Sequence, residues 1–186
     1  MKADPIKSKA IRLTTTSYAV MSLLEMLGEA TPYDLKQALE HSIQNFWPVP
    51  HTTFYEEPAR LAQAGYLSQR QESGGRRRKS YALLQSGREA LREWAESPAG
   101  PSQYRDEGML KVFAGADPRV VYAGRGDWHR QKLAELEGYL KNLRERERPE
   151  DPSEDRWRGA EATLIAGINY QQQMIESIER FIENPG

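Results

Sequence analysis

Cysteine is absent from this 186-residue chain, which excludes a disulfide scaffold, a thiol nucleophile and a cysteine-rich zinc site. Histidine is scarce. His41, His51 and His129 share no metal-ligand spacing, and lone histidines are usually surface or cap residues. No glycine-rich phosphate loop, nucleophile elbow or H-E-x-x-H pattern occurs. Carboxylates are plentiful but single out no catalytic pair. The expectation is a protein that is not an enzyme, with no catalytic residue, no metal and no cofactor. Long hydrophobic runs are missing too. The uncharged stretch Leu13 to Leu24 is 12 residues, and a membrane helix needs roughly 20. Lys2, Lys7, Lys9 and Arg12 precede it in the manner of a signal peptide, but Glu25 follows at once and no A-x-A site appears. A cytoplasmic protein with no membrane partner is therefore expected.

A strong net charge is also lacking. The total is -1, which argues against a nucleic-acid partner until it is divided along the chain. Residues 1–97 hold 13 basic and 11 acidic side chains, giving +2, and the rest give -3. The bases of the first part are concentrated: Arg76, Arg77, Arg78 and Lys79 are consecutive. Two prolines and a glycine in Ser97-Pro98-Ala99-Gly100-Pro101-Ser102 mark the main boundary. We therefore divide the chain at 1–97 and 98–186. A second break, Arg148 to Ser153, separates two long helical patterns.

In the first segment, Ser17 to Gly28 reads as a helix with Tyr18, Met21, Leu24, Met26 and Leu27 inward, ended by Gly28. Thr31-Pro32-Tyr33-Asp34 opens a second helix, with Thr31 as N-cap, Pro32 at the first position and Asp34 reaching back. A third helix begins near Thr53-Phe54-Tyr55-Glu56, which fits a capping box, and runs to Gly65 with Phe54, Leu61 and Ala62 inside. Pro58 is tolerable there only because it stands early in the helix. Tyr66 to Gln71 and Ser80 to Leu84 are strand candidates flanking Gly74-Gly75 and the four bases, hence a hairpin. Ser86-Gly87-Arg88-Glu89 fits a further capping box, opening a helix through Leu91 and Trp94. The order is three helices, a two-stranded wing and a helix.

The second segment reads as helical throughout. Asp117-Pro118 is an N-cap followed by proline, and Leu133, Leu136, Leu140 and Leu143 keep helical spacing. Trp157, Leu164, Ile168, Gln171, Ile175, Ile178 and Ile182 lie on a heptad seam with Glu161 as its one charged slot. Such narrow seams need a partner, so this segment is expected to dimerise, through Leu164, Ile168, Ile175, Ile178 and Ile182.

The fold class is thus mainly α: an N-terminal winged helix-turn-helix, with three helices and a two-stranded wing, and a C-terminal α-helical dimerisation domain. Bases at a projecting hairpin tip suit phosphate contact, since each neutralised phosphate releases counterions. Tyr81 beside them either hydrogen-bonds a phosphate or packs on the core. The third helix would enter the major groove by its first turn. Its polar candidates are His51, Thr52, Thr53 and Tyr55, with Arg60 further along unless it pairs with Glu56. Glu56 and Glu57 would repel phosphates unless they point away or accept from cytosine amines.

Ser17–Gly28, Pro32-Tyr33-Asp34-Leu35, Phe46-Trp47, Thr53-Phe54-Tyr55, Arg60-Leu61, Gly65-Tyr66-Leu67, the basic wing, Tyr81-Ala82-Leu83 and Gly87-Arg88-Glu89-Ala90-Leu91 with Trp94 together resemble the PadR family of bacterial transcriptional regulators. The long helical tail resembles the family's larger subgroup. The resemblance implies a winged-helix homodimer that binds double-stranded DNA at an inverted repeat, commonly as a repressor. It implies DNA contact by Thr52, Thr53, Tyr55, Arg77, Arg78 and Lys79, to which the residues themselves add Arg60 and Arg76 as candidates. In some members a phenolic or hydrophobic small molecule releases the DNA, which here would fall to Trp94, Tyr104, Trp128 and Trp157, with Tyr170. The chain departs from the family pattern at Pro32, Glu56 and Pro58, where glycine, proline and leucine are usual. The alternative from another class is a protein-interaction module that keeps the winged helix without binding DNA.

Overall fold

The computed structural model describes residues 11–40, 42–47, 50, 52–71, 77–145 and 154–183, with side chains except at 45 and 154–157. His41, His51, the Gly74-Gly75 pair, Arg76 and the break from Arg148 to Ser153 lie outside these residues, as does the Trp157 side chain. The chain divides into two compact units, Met1–Ala99 and Gly100–Gly186.

In the first unit, helix α1 (Thr15–Leu27) starts on a reciprocal cap. The Thr14 amide donates to the Ser17 hydroxyl at 2.8 Å, and the Ser17 amide donates back to Thr14 Oγ1 at 3.3 Å. Gly28 ends the helix at φ 78°, a left-handed conformation that costs a glycine nothing. Val20, Met21, Leu23 and Leu24 face the core, whereas Met26 and Leu27, expected inside, are 52% and 44% exposed. The last turn of α1 overhangs the core it caps. Two residues then form strand β1 (Glu29–Ala30). Helix α2 (Pro32–Glu40) follows, on the expected cap: the Thr31 amide donates to Asp34 Oδ2 (2.9 Å) and the Asp34 amide to Thr31 Oγ1 (3.3 Å).

Helix α3 (Thr53–Gln63) buries Phe54, Glu57, Pro58 and Leu61. Its expected capping box does not form. Thr52 is the N-cap and is itself in helical conformation, and the Thr53 amide is taken by the Pro50 carbonyl at 3.0 Å. A turn entering already wound leaves a side-chain cap nothing to do. Strands β2 (Leu67–Gln71) and β3 (Lys79–Leu83) make the antiparallel wing, with Gln69 opposite Tyr81. The sheet gains a third strand that the sequence did not announce, β1, with Ala30 opposite Tyr81 in the order β1-β3-β2. Tyr81 is 2% exposed and belongs to the core.

Helix α4 (Gln85–Ala95) also lacks its expected box. The Ser86 hydroxyl donates instead to the Gly65 carbonyl (2.6 Å), and Glu89 accepts from Gln85 Nε2 (2.9 Å). Gly87 is required here by contact: a Cβ would stand 2.4 Å from the Tyr66 carbonyl oxygen. Trp94 stacks on Tyr18, with ring centroids 4.5 Å apart and planes within 5°. One contiguous core joins Val20, Met21, Leu35, Leu39, Phe54, Leu61, Leu67 and Tyr81.

The second unit comprises α5 (Glu107–Phe113), α6 (Pro118–Val121), α7 (Arg125–Glu145) and α8 (Glu154–Glu183). Asp106 and Asp117 cap α5 and α6 through backbone amides. Helices α7 and α8 run antiparallel: Arg144 pairs with Glu161 at 2.7 Å, and 15 residues earlier His129 meets Gln171. The heptad seam, expected to need a partner, finds much of one within the chain. Leu164 and Ile168 pack on Leu133, Leu136, Tyr139 and Leu140 of the same chain, and Ile178 is 2% exposed. Of the five residues expected to dimerise, only Ile182 is exposed, at 37%. The chain is long enough after the second break to fold back, so α7 covers α8 first. No helix among the described residues is long and apolar enough to cross a membrane.

Candidate nucleic-acid interface

The two faces of α3 divide its residues by function. One face carries Phe54, Glu57, Pro58 and Leu61 into the core, and the opposite stripe of Thr52, Tyr55, Glu56 and Gln63 is exposed. Thr53, expected to contact DNA, is only half-exposed between the two. Glu57, one of the two carboxylates expected to trouble a DNA-facing helix, points inward. It accepts from the Ser17 hydroxyl (2.6 Å), and Arg60 donates to it through Nε (2.8 Å) and Nη2 (2.5 Å). Burial pushes the Glu57 carboxyl up, but the hydrogen bonds from Arg60 and Ser17 and the guanidinium charge outweigh it, so it titrates below the ordinary range.

This arrangement also corrects the reading of Arg60. Its partner is Glu57, not Glu56, and it donates further to Ser17 Oγ (3.0 Å) and the Arg12 carbonyl (3.3 Å). A guanidinium committed to four acceptors, tying α3 to α1 and its leading segment, is a structural tie rather than a base-reading group.

The wing's bases fare differently. Arg70 is neutralised by Glu29 at 2.8 Å, and Glu29 also accepts from Ser80. Arg77, Arg78 and Lys79 are exposed, and none of them makes an ion pair within 4.0 Å among the described residues. Arg77 sits at φ 46°, a left-handed conformation uncommon outside glycine, asparagine and aspartate.

Arg78 and Lys79 form one wall of a cleft of about 480 Å³, whose other walls are Tyr55 of α3 and the α2 N-terminus at Thr31, Pro32, Tyr33 and Asp34. Three elements thus converge: the exposed first turn of α3, a helix N-terminus and two cations without an ion pair among the described residues. The cleft is open and carries positive charge at one side, which suits a strand of phosphates. Asp34 is the local exception. Thr31's backbone and hydroxyl hydrogen bonds, with a smaller contribution from the Arg78 charge, hold its carboxyl below the usual range. The sequence had marked Thr31-Pro32 as a helix start but gave no sign that Tyr33, 58% exposed, would line this cleft.

The aromatics expected around a small molecule are divided between the two units, and the Trp157 side chain lies outside the described residues. Trp94 belongs to the first unit and is stacked on Tyr18. In the second unit, Trp128 is 57% exposed and meets His129 edge-on. Tyr104 lines a cavity there, of about 170 Å³, with Asp106, Met109, Tyr122, Met174, Ser177, Ile178 and Phe181. Asp106 organises that corner. Arg125 donates to both its oxygens (2.6 and 2.7 Å), and the amides of Gly108 (2.7 Å) and Met109 (3.3 Å) donate to Oδ1. These bonds, the Arg125 pair foremost, lower the Asp106 carboxyl below its ordinary value against the cost of burial. His129 corrects the expectation of a surface or cap histidine. It is 2% exposed, with Nδ1 2.5 Å from Gln171 Oε1 and Nε2 without a hydrogen-bond partner among the described residues.

Comparison with known proteins bears on both units. The profile of the Transcriptional regulator PadR-like family matches residues 20–93. The Negative transcriptional regulator PadR of Bacillus subtilis is 27% identical over 135 residues, covering 68% of this chain and 73% of that protein. The crystal structure of Bacillus subtilis PadR in complex with operator DNA aligns with a TM-score of 0.77 at 22% identity, over 93% of this chain and 99% of that one. The same protein in complex with p-coumaric acid aligns at 0.69 and 21%, over 91% and 98%. At these identities the structural matches show the shared fold.

Proposed function

We propose, from its membership of the PadR-like family of transcriptional regulators through residues 20–93, that this chain is a homodimeric repressor of an inverted-repeat operator. Residues 1–97 bind DNA in this reading and residues 98–186 dimerise. The observation that carries it is the cleft joining Tyr55, the α2 N-terminus, Arg78 and Lys79. The exposed first turn of α3, with Thr52 and Tyr55, enters the major groove, and Arg77, Arg78 and Lys79 hold flanking phosphates, joined by Arg76 from the same basic run. Thr53 and Arg60 hold the helix in place. Repression is supported by the negative regulator of Bacillus subtilis, and its p-coumaric acid complex supports a small phenolic effector, with Tyr104 lining a cavity of the second unit. The reading as a module without DNA loses much of its support, because Glu57 is neutralised and turned inward.

Dimerisation in this reading uses the exposed apolar side chains of the second unit. Leu110, Phe113 and Val120 are 65, 90 and 74% exposed, and leaving them in water is unfavourable. Selection of bound sequences from random duplex DNA tests the whole reading, and an imperfect or perfect palindrome is expected. On the selected site, Arg78→Ala with Lys79→Ala is expected to weaken binding and lower the salt slope by up to about 2. An unchanged slope in a fluorescence titration overturns the wing's role.

A further inference from the structure

We infer that Glu56 is a specificity residue that reads the exocyclic amine of a cytosine in the major groove. The inference rests on the DNA-binding reading above and adds a base preference to it. Glu56 lies in the first turn of α3, on the exposed stripe with Thr52, Tyr55 and Gln63. Its neighbour Glu57 is buried and bonded to Ser17 and Arg60. Arg60, the cation spaced to pair with Glu56, is consumed by Glu57, Ser17 and the Arg12 carbonyl. Among the described residues Glu56 therefore has no hydrogen-bond or ion-pair partner, and it is the single carboxylate on the exposed stripe of α3.

A bare carboxylate there weakens every complex in which it faces phosphate or a base acceptor. It strengthens only those in which it meets a donor. Major-groove edges offer donors at two places, cytosine N4 and adenine N6, while guanine N7 and O6 and thymine O4 are acceptors. Adenine sets its N7 acceptor beside the amine. Cytosine sets an apolar C5 edge beside its own, so an acceptor-only side chain fits cytosine best. The unpaired charge thereby becomes a filter: it lowers general affinity, which the basic wing supplies, and raises discrimination at one position of each half-site.

The test runs sequence selection on the full-length chain, Glu56→Ala and Glu56→Gln in parallel. The wild type is expected to select a cytosine at one symmetric position of each half-site. Replacing that cytosine in the selected duplex should weaken wild-type binding roughly 5- to 150-fold, while Glu56→Ala binds both duplexes equally. Glu56→Gln should move the preference towards adenine, whose N6 and N7 suit an amide. Because Glu56 is exposed and unpaired, thermal melts of the three proteins should coincide. If wild type and Glu56→Ala select the same bases at every position, the inference falls and DNA binding stands. A wild type that retains no duplex overturns both.

Discussion

In the first unit Val20, Met21, Leu35, Leu39, Phe54 and Leu61 are all completely covered by their own chain. In the second, the contiguous core comes down to Leu136, Leu140 and Ile168, while Leu110, Phe113 and Val120 stand in solvent. Both units are built largely from amphipathic helices, so helix content does not explain the contrast. The first unit adds a three-stranded sheet that closes one side of its helices, and the small sheet turns Leu67, Tyr81 and Leu83 into that core. The second has two long helices, α7 and α8, which share a narrow seam of Leu133, Leu136, Tyr139 and Leu140 against Leu164 and Ile168. A seam of that width removes little apolar area from water. The difference teaches that the first unit can vary its surface without endangering its fold, whereas the second leaves apolar side chains that the proposed dimer would cover.

The largest effect should come from the closed core. Phe54→Ala is expected to destabilise the chain by about 3–5 kcal/mol, seen as a fall in the urea midpoint with little change in slope. A loss below about 1 kcal/mol would mean that the core is less complete than its burial implies. The opposite test introduces charge on the open side. Leu110→Asp with Phe113→Asp should leave the chain's own fold within about 0.5 kcal/mol but raise the proposed dimer's dissociation constant at least about tenfold, or 1.4 kcal/mol. Sedimentation across a dilution series reads this directly. A variant as dimeric as the wild type would move the interface away from α5. Charging Ile178 instead is uninformative, because it is buried within the chain and its loss would unfold the unit.

Local signals in the sequence were reliable where no distant group competed for them. Thr31, Pro32 and Asp34 satisfy one another within four residues, and the expected cap is the observed one. Gly28 and Asp117-Pro118 behave likewise. Two further expected capping boxes do not form, one because a tertiary partner outcompetes it and one because the chain enters the helix already wound. Ser86 turns to the Gly65 carbonyl, and the entry to α3 is wound before Thr53 is reached. Strand β1 has only two residues and no periodicity to detect. The candidate interface was legible in its cations, since four consecutive bases on a hairpin are visible without coordinates. The inward turn of Glu57 was not, because it depends on Ser17, 40 residues away. Tyr33 was missed for a related reason: a residue on a short helix joins a cleft only through elements distant in sequence.

The smallest effect expected also separates the two units, through pH. Glu57 in the first unit and Asp106 in the second each hold a guanidinium, and each carboxyl is lowered from its ordinary value, 4.5 and 3.8 respectively. A depressed folded-state value means that the carboxylate contributes stability above its unfolded value and loses it as pH falls through the folded one. The Glu57 contribution should therefore fade on acidification below about pH 4.5, and that of Asp106 below about 3.8. Arg60 is 38% and Arg125 31% exposed, so solvent screens both pairs and each is worth about 1 kcal/mol rather than the several of a fully buried pair. Glu57→Gln should cost about that much at pH 6, and its midpoint should converge with the wild type's by pH 3. Asp106→Asn should converge later in the same acid titration, and it alone should alter the stability of the proposed dimer, because Asp106 and its Arg125 pair fix the start of the helix that bears Leu110 and Phe113. Urea titrations of both variants at pH 6, 4.5 and 3 check the order. A gap that widens on acidification would reverse the sign, and equal effects of both variants on dissociation would erase the contrast between a unit that is closed and one that is not.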